Sequence, residues 1–247
     1  MRGCVGAIRQ LVAGSFGYNF AMKAWFCFAL AGLLAGCGGR SKSNSDAYPY
    51  SKVIVKPENQ TLQVALGGSA SQTYQVIGLV DGVETDITAD CTLTVDNNFG
   101  RFEASKVTVG ARGGQTEIGA TCGGQAASPG VLTIKLSSTV IVPGAPADAA
   151  AIFGAATATA DPSKQPAIEY PLDQAVAPIN LASVEAQWAP RNNDLFHLTM
   201  ASAFVAVDVY TPNIDAALSA ADWDLVARTA AGRDLKFVVE GLVQAAP

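Results

Sequence analysis

Few side chains in this sequence are suited to chemistry: it has one histidine and five cysteines. His197 lies in the alternating stretch DLFHLTM, with Phe196 and Leu198 on the opposite face. This alternation is typical of a β-strand with one buried face, so we expect His197 to be a surface histidine on the solvent face. No Gly-x-Ser-x-Gly turn accompanies it to supply a nucleophile. A single histidine excludes two-histidine mechanisms and most zinc sites, and we predict no catalytic residue and no enzyme.

Acidic and aromatic residues offer two alternative sites. Glu84, Asp86 and Asp90 fall near a strand end, and their carboxylates suit Ca²⁺, which takes about six to eight oxygen ligands. The sequence has no Asp-x-Asp-x-Asp-Gly loop, and this favours a solvated rim over a metal site. Trp188 and Trp223 are candidates for a sugar-stacking platform, although a Trp on an amphipathic helix more commonly packs in a core. We expect neither a metal nor a cofactor.

Composition limits the functional class. The 247 residues are 49% hydrophobic and 15% charged, with a formal net charge of −5. Nucleic-acid-binding proteins carry a basic patch, so we expect no nucleic-acid partner. At roughly 100–200 residues per domain, the length allows one or two domains with a real core.

An apolar run near the N-terminus indicates export. Lys23 is followed by AWFCFALAGLLAG, which is too short for a membrane-spanning helix of ~20 residues and suits the apolar part of a signal peptide. The run ends in Leu34-Ala35-Gly36-Cys37 and is followed by the polar segment GGRSKSNSDAY. This order of charge, apolar run, small residues and cysteine resembles the lipobox of bacterial lipoproteins.

The resemblance implies that signal peptidase II cuts before Cys37 and that the Cys37 thiol carries a diacylglycerol. We therefore expect a signal region over 1–36 and a lipidated tether over 37–50. Met22 gives the more compact start, so residues 1–21 either precede the true start or form a long n-region. The alternative is a buried helix that ends in a cysteine, but the polar segment after it has no core to join.

Processing at this point leaves two cysteines for a disulfide. Cys4 and Cys27 leave with the signal and Cys37 carries lipid, so Cys91 and Cys122 remain. Both share the parity of apolar neighbours in alternating stretches, and both therefore point to the apolar side of their strands. Because exported proteins fold in oxidising compartments, we predict a Cys91–Cys122 bridge, with two buried free thiols as the alternative.

Short strands separated by turn signals fill residues 51–138. Asp81-Gly82 predicts a hairpin, and Gly110–Gly114 predicts another hairpin turn. This spacing predicts a β-sandwich. The order VIVKPENQTLQVALGG, then SKVTVGARGGQTEIGATCGG, then GVLTIKL resembles a bacterial immunoglobulin-like group 2 domain. The resemblance implies a cell-surface or periplasmic module for adhesion or spacing, without catalytic residues.

An Ala- and Pro-rich stretch over 139–166 predicts a domain boundary. Because no periodicity is sustained there, the sequence favours an extended linker. The alternative is a helix from Asp148 to Ala160, which the Asp148 side chain is suited to cap.

Residues 167–247 alternate again and predict a second β-sandwich with one inserted helix. Ser219 and Asp222 resemble a capping box at the start of that helix, and Gly232 follows its end. The stretch IEYPLDQAVAPINLASVEAQW resembles the fibronectin-like domain that precedes a TolB-type β-propeller in some bacterial surface proteins.

Together these features predict a mainly β protein with two tandem Ig-like and fibronectin-like sandwiches. We expect a non-catalytic outer-membrane lipoprotein, periplasmic or surface-exposed, that displays its modules for adhesion, recognition or spacing. Its expected partners are the membrane, through the lipid on Cys37, and a surface protein or glycan. The alternatives are a truncated anchoring part of a larger propeller-bearing protein and a carbohydrate-binding module.

Overall fold

The computed structural model describes residues 5–10, 49–157, 159 and 161–244, with residues 5–10 as backbone only. The expected lipidation site Cys37, the start at Met22 and the segment 38–48 lie outside the described residues. The described chain is mainly β, as the alternating pattern predicts. Its described helices are too short or too polar to span a membrane.

The strands are short, apart from a few that form the centre of one large sheet. In chain order the strands are β1 (Val5–Gln10), β2 (Lys52–Lys56), β3 (Asn59–Ala65), β4 (Ala70–Thr73), β5 (Gln75–Val80), β6 (Val83–Asp86), β7 (Cys91–Val95), β8 (Gly100–Glu103), β9 (Lys106–Val109), β10 (Gly114–Cys122), β11 (Gln125–Ala126), β12 (Gly130–Ile141), β13 (Ala167–Tyr170), β14 (Val176–Ala177), β15 (Ala186–Ala189), β16 (Leu195–Ser202), β17 (Val205–Thr211), β18 (Asp215–Ala216) and β19 (Asp234–Leu242). The helices are α1 (Ala149–Ala155) and α2 (Ala220–Ala230).

The large sheet has the order β11-β10-β12-β17-β16-β19-β1-β14, and β3 and β7 pair with it off this path. Strand β1 lies in the expected signal region 1–36, so a chain that is cut before Cys37 lacks β1 and its pairing with β19 and β14. The described residues also form three small sheets, β2-β5-β6, β4-β9-β8 and β13-β15-β18. We call residues 52–126 the first lobe and residues 149–242 the second lobe.

The 12-residue strand β12 belongs to both lobes. Its first half pairs with β10 on one side and with β3 on the other. Its second half pairs in parallel with β17 of the second lobe. At the crossing point, Leu136 lies beside Val64 of β3 and Val205 of β17. The two lobes therefore share one hydrogen-bonded ladder.

The first lobe packs the inward faces of its sheets into one apolar cluster. In β10 the alternation points Ile118, Ala120 and Cys122 inward, and in β12 it does the same for Leu132 and Ile134. The cluster is continuous with that of the second lobe. Fully burying a leucine or isoleucine side chain contributes roughly 1.5–3 kcal/mol to the free energy of unfolding.

The Gly-rich stretch before β10 links two sheets. It connects β9 to β10, which do not pair with each other, so the predicted hairpin over Gly110–Gly114 is wrong. Gly113 instead donates its backbone N–H to the Thr229 hydroxyl of α2, at 3.0 Å. A Cβ at this glycine would lie 2.6 Å from the carbonyl oxygen of Phe204, so only glycine allows this contact between the lobes. The predicted hairpin at Asp81-Gly82 is present, between β5 and β6.

The second lobe packs α2 and the β13-β15-β18 sheet against one face of β16, β17 and β19. The side chains of Trp188, Trp223, Leu198, Met200 and Phe237 are buried there. Helix α2 begins as predicted, because the Ser219 hydroxyl oxygen accepts a hydrogen bond from the Asp222 N–H at 3.1 Å.

The stretch 139–166, which favours an extended linker by sequence, contains regular structure. It begins with the last three residues of β12 and continues into α1, which follows Asp148. The helix is thus the alternative that the sequence allowed, although its bounds are shorter and the Asp148 side chain makes no capping hydrogen bond. A short 3₁₀ turn at Pro162–Lys164 precedes β13.

Because the lobes share β12 and one apolar cluster, we predict that they unfold in a single cooperative transition. The Leu136 N–H donates to the Phe204 carbonyl just before β17, and the Val142 N–H donates to the Tyr210 carbonyl of β17. Because successive N–H groups of a strand point to opposite sides, the Ser138 N–H also faces β17. Ser138→Pro removes that donor and should lower the free energy of unfolding by about 3 kcal/mol. Chemical denaturation followed by far-UV and near-UV circular dichroism should then show two separated transitions.

Thr139→Pro is the matched control, because alternation turns the Thr139 N–H away from β17. Its effect should be smaller and its transition should stay single. Two transitions in the unsubstituted protein would contradict the shared ladder.

Candidate functional site

The histidine lies in the middle of a cross-strand row of polar side chains. His197 on β16 is opposite Tyr210 on β17 and Glu240 on β19. Two residues along β16, Thr199 is opposite Asp208. Because paired and alternate residues share a face of a sheet, these five side chains meet on the side that faces away from the main core.

Helix α1 packs on this second face. Ala149 of α1 is fully buried against Leu195 and Tyr210, and the two form a small separate core with it. The Phe153 ring lies 5.5 Å from the His197 ring and 5.6 Å from the Tyr210 ring, centroid to centroid. The side chain of His197 is only 14% exposed, so the expected surface histidine is wrong. Parity identified the correct face, but it does not show that a helix from a distant segment packs on it.

Each ring nitrogen of His197 faces a carboxylate. Nε2 lies 2.8 Å from Asp208 Oδ1, and Nδ1 lies 3.3 Å from Glu240 Oε2. The Thr199 hydroxyl donates to the same Asp208 oxygen at 3.1 Å. A neutral imidazole has one N–H and donates to one carboxylate only, whereas the imidazolium donates to both. Only the protonated ring can therefore donate to Asp208 and Glu240 at the same time.

Tyr210 closes one side of the imidazole. Its ring stacks on His197 with centroids 4.4 Å apart and an interplanar angle of 10°. Burial raises the pKa of the Tyr210 phenol, and the nearby charges of Asp208 and Glu240 raise it further. The phenol thus remains neutral at physiological pH and adds no negative charge to the cluster.

The connectivity of the cluster resembles a hydroxyl–imidazole–carboxylate triad, since Thr199 Oγ1 lies 3.2 Å from Nε2 and Glu240 lies at Nδ1. Two features work against nucleophilic chemistry. Asp208 lies closer to Nε2 than the hydroxyl does, and the Thr199 hydroxyl donates to Asp208. The geometry therefore favours a structural role, in which the cluster joins β16, β17 and β19 to each other and to α1.

Sequence reasoning missed most of this cluster, although one signal was available. Asp208 is a charged residue in the middle of the apolar stretch AFVAVDVYT, and it shares the parity of Tyr210. A carboxylate at such a position requires a partner when its face is covered, and the nearest strand supplies the only histidine. Phe153 and Glu240 carry no comparable local signal.

The acidic residues near the strand end are engaged in local contacts. Glu84 pairs with Lys56 at 2.8 Å. Asp86 accepts from the Thr88 hydroxyl and N–H, and the hydroxyl is the main reason that the pKa of Asp86 is lowered. Asp90 ends a 3₁₀ turn. Within the described ranges, no three or more His, Cys, Asp or Glu side chains are arranged to hold a metal.

The two tryptophans do not form a platform. Trp188 is 1% exposed and Trp223 is 4% exposed, so neither presents a ring face to solvent. The Trp223 indole donates to the Leu181 carbonyl at 3.1 Å. The hypothesis of a sugar-stacking site at these residues is therefore wrong, and both are core residues.

A disulfide joins Cys91 and Cys122. The two residues lie directly opposite each other on the antiparallel neighbours β7 and β10, with Cα atoms 4.3 Å apart. The bridge therefore joins adjacent strands of one sheet, whereas the bridge of antibody domains crosses between two sheets. Cys122 is fully buried in the apolar cluster.

Replacing both cysteines by alanine should lower the free energy of unfolding by about 3–4 kcal/mol, because the bridge closes a loop of 31 residues in the unfolded chain. Urea denaturation measures the change. Mass spectrometry of the unsubstituted protein should show a gain of two hydrogens on reduction and no alkylation beforehand at these two residues. Two freely alkylatable thiols in the native protein would exclude the bridge.

His197→Ala should lower the free energy of unfolding by roughly 1–3 kcal/mol, because it removes the partner of two carboxylates and the ring between Phe153 and Tyr210. A double-mutant cycle with Asp208→Asn should give a coupling energy of at least about 0.5 kcal/mol. A change of under about 0.5 kcal/mol for His197→Ala would restore the surface-histidine interpretation.

The chain was also compared with known proteins. No protein-family model matches it, and no match is found among the curated proteins.

Proposed function

We propose that this chain is a lipid-anchored protein of the bacterial cell envelope that displays two fused β-lobes for recognition or spacing. The disulfide between Cys91 and Cys122 carries the proposal. Structural disulfides persist in oxidising compartments and are rare in the cytosol. This observation is independent of the N-terminal sequence, and both favour export.

The N-terminal sequence gives the mode of attachment. The order of Lys23, an apolar run, Leu34-Ala35-Gly36 and Cys37 resembles a lipobox, and the polar segment 38–48 suits a tether between lipid and fold. A single acyl chain holds a protein at a membrane only weakly, so the diacylglycerol of a lipoprotein is a more durable anchor.

The arrangement of the lobes supports display as one unit. A flexible linker would let two modules move independently, but here the sheet continues through β12 from one lobe into the other. A body of this kind holds its outer surface at a fixed distance and orientation from the tether. This favours a recognition or spacing role over a hinge between two separate binding modules.

The anchor is tested with Cys37→Ser, for which we expect loss of labelling by an alkynyl palmitate analogue. The precursor should remain uncut, and the protein should no longer be held at the membrane by lipid. The matched control is Cys27→Ser, which changes a cysteine inside the apolar run and should leave labelling unchanged. Both variants are expressed in a bacterial host with an intact lipoprotein pathway and fractionated. Continued labelling of the Cys37→Ser protein would overturn the proposal.

A further inference from the structure

A cavity of about 310 Å³ lies beside the histidine cluster in the second lobe. Its walls include Phe153 of α1, Lys164 and Pro166 before β13, and the end of β19 from Glu240 to Leu242. This volume is at the lower end of the range for small-molecule sites, which is roughly 300–1,000 Å³. The cavity therefore suits a small organic molecule.

The carboxylate of Glu240 is the anionic group of this cavity. Only its Oε2 atom contacts His197, at 3.3 Å, and its Oε1 atom makes no hydrogen bond or ion pair with another described residue. The other ring nitrogen of His197, Nε2, contacts Asp208. Two carboxylates thus share one imidazole, and the cluster keeps a net negative charge even when the ring is protonated.

Lys164 is the cation in the same wall, and Asp161 precedes it by three residues in the chain. Asp161 lies in the same 3₁₀ turn, where its carboxylate accepts from the Ser163 N–H at 2.9 Å and from the Ser163 hydroxyl at 2.7 Å. These contacts, with a smaller contribution from the charge of Lys164, lower the pKa of Asp161 and keep it ionised. Glu240 and Lys164 are the charged residues that line the cavity, and the carboxylates of Asp208 and Asp161 lie next to them, so acidic groups outnumber basic groups in this neighbourhood.

The remaining walls are suited to hydrocarbon and to a cation. Pro166 and Leu242 present apolar surface, and Phe153 contributes an aromatic ring. An ammonium group near an aromatic face is attracted to the ring, and a neighbouring carboxylate adds a Coulomb attraction. A neutral molecule would bring no positive charge to the Glu240 carboxylate.

We propose that this cavity binds a primary alkylammonium group, with the ammonium at Glu240 and the short hydrocarbon chain against Phe153, Pro166 and Leu242. Free amines, amino sugars and lysine side chains of peptides share this chemistry. The site does not depend on lipid attachment, so it can be tested separately from the anchor.

The probes are n-pentylammonium, its neutral counterpart 1-pentanol and its anionic counterpart pentanoate. Each is titrated by isothermal titration calorimetry into the full-length chain in a non-ionic detergent. We expect n-pentylammonium to bind at least fivefold more tightly than 1-pentanol, and pentanoate to give no heat of binding. Glu240→Gln should weaken n-pentylammonium binding at least fivefold, and Phe153→Leu should weaken it to a smaller extent.

Glu84→Gln is the matched control, because Glu84 is an exposed carboxylate in the first lobe that pairs with Lys56. It should leave binding unchanged, and circular dichroism of each variant checks that the fold is retained. Equal affinity for amine and alcohol, tighter binding of pentanoate, unchanged affinity in the Glu240→Gln protein or no binding of any probe would each overturn the proposal. Titration of a lysine-containing peptide and of an amino sugar then shows which source of the ammonium group binds.

Discussion

The hydrogen-bonded ladder of β12 is the constraint on which the rest of the structure depends. Because this strand pairs with β3 and β10 at one end and with β17 at the other, it fixes the second lobe against the first. It also sets the position of the chain that follows, since the Val142 N–H bonds to the Tyr210 carbonyl at 2.9 Å. From there the chain continues into α1, which packs on the outer face of β16 and β17, where the histidine lies.

Local features were largely predictable from the sequence, because short-range physics determines them. The Asp81-Gly82 hairpin, the Ser219 cap of α2 and the inward parity of Cys122 each follow from neighbours within a few residues. The shared strand was not predictable, because the pairing of β12 with β17 joins residues about 70 positions apart. Alternation indicates which face of a strand is apolar, but it does not indicate which strand will lie beside it.

At the candidate site, too, the local features were predictable from the sequence and the long-range contacts were not. The parity of His197 correctly placed it opposite Phe196 and Leu198, and the alternation of the second lobe is the one observed. The burial of His197 was not predictable, because it depends on α1, whose Ala-rich sequence carries little periodicity. A short helix of this kind is stabilised mainly by tertiary packing, and the Phe153 contacts with His197 and Tyr210 supply it.

The length of β12 also has a consequence for how the chain reaches its native state. A chain that is made from its N-terminus completes the first lobe well before β17, so the edge of β12 that later pairs with β17, at residues 136–141, is open during that interval. Such an edge is a template for pairing with other chains. Non-local pairing of this kind is slow and leaves an aggregation-prone interval. Folding of this chain is therefore exposed to intermolecular association at this edge of β12 until β17 pairs with it.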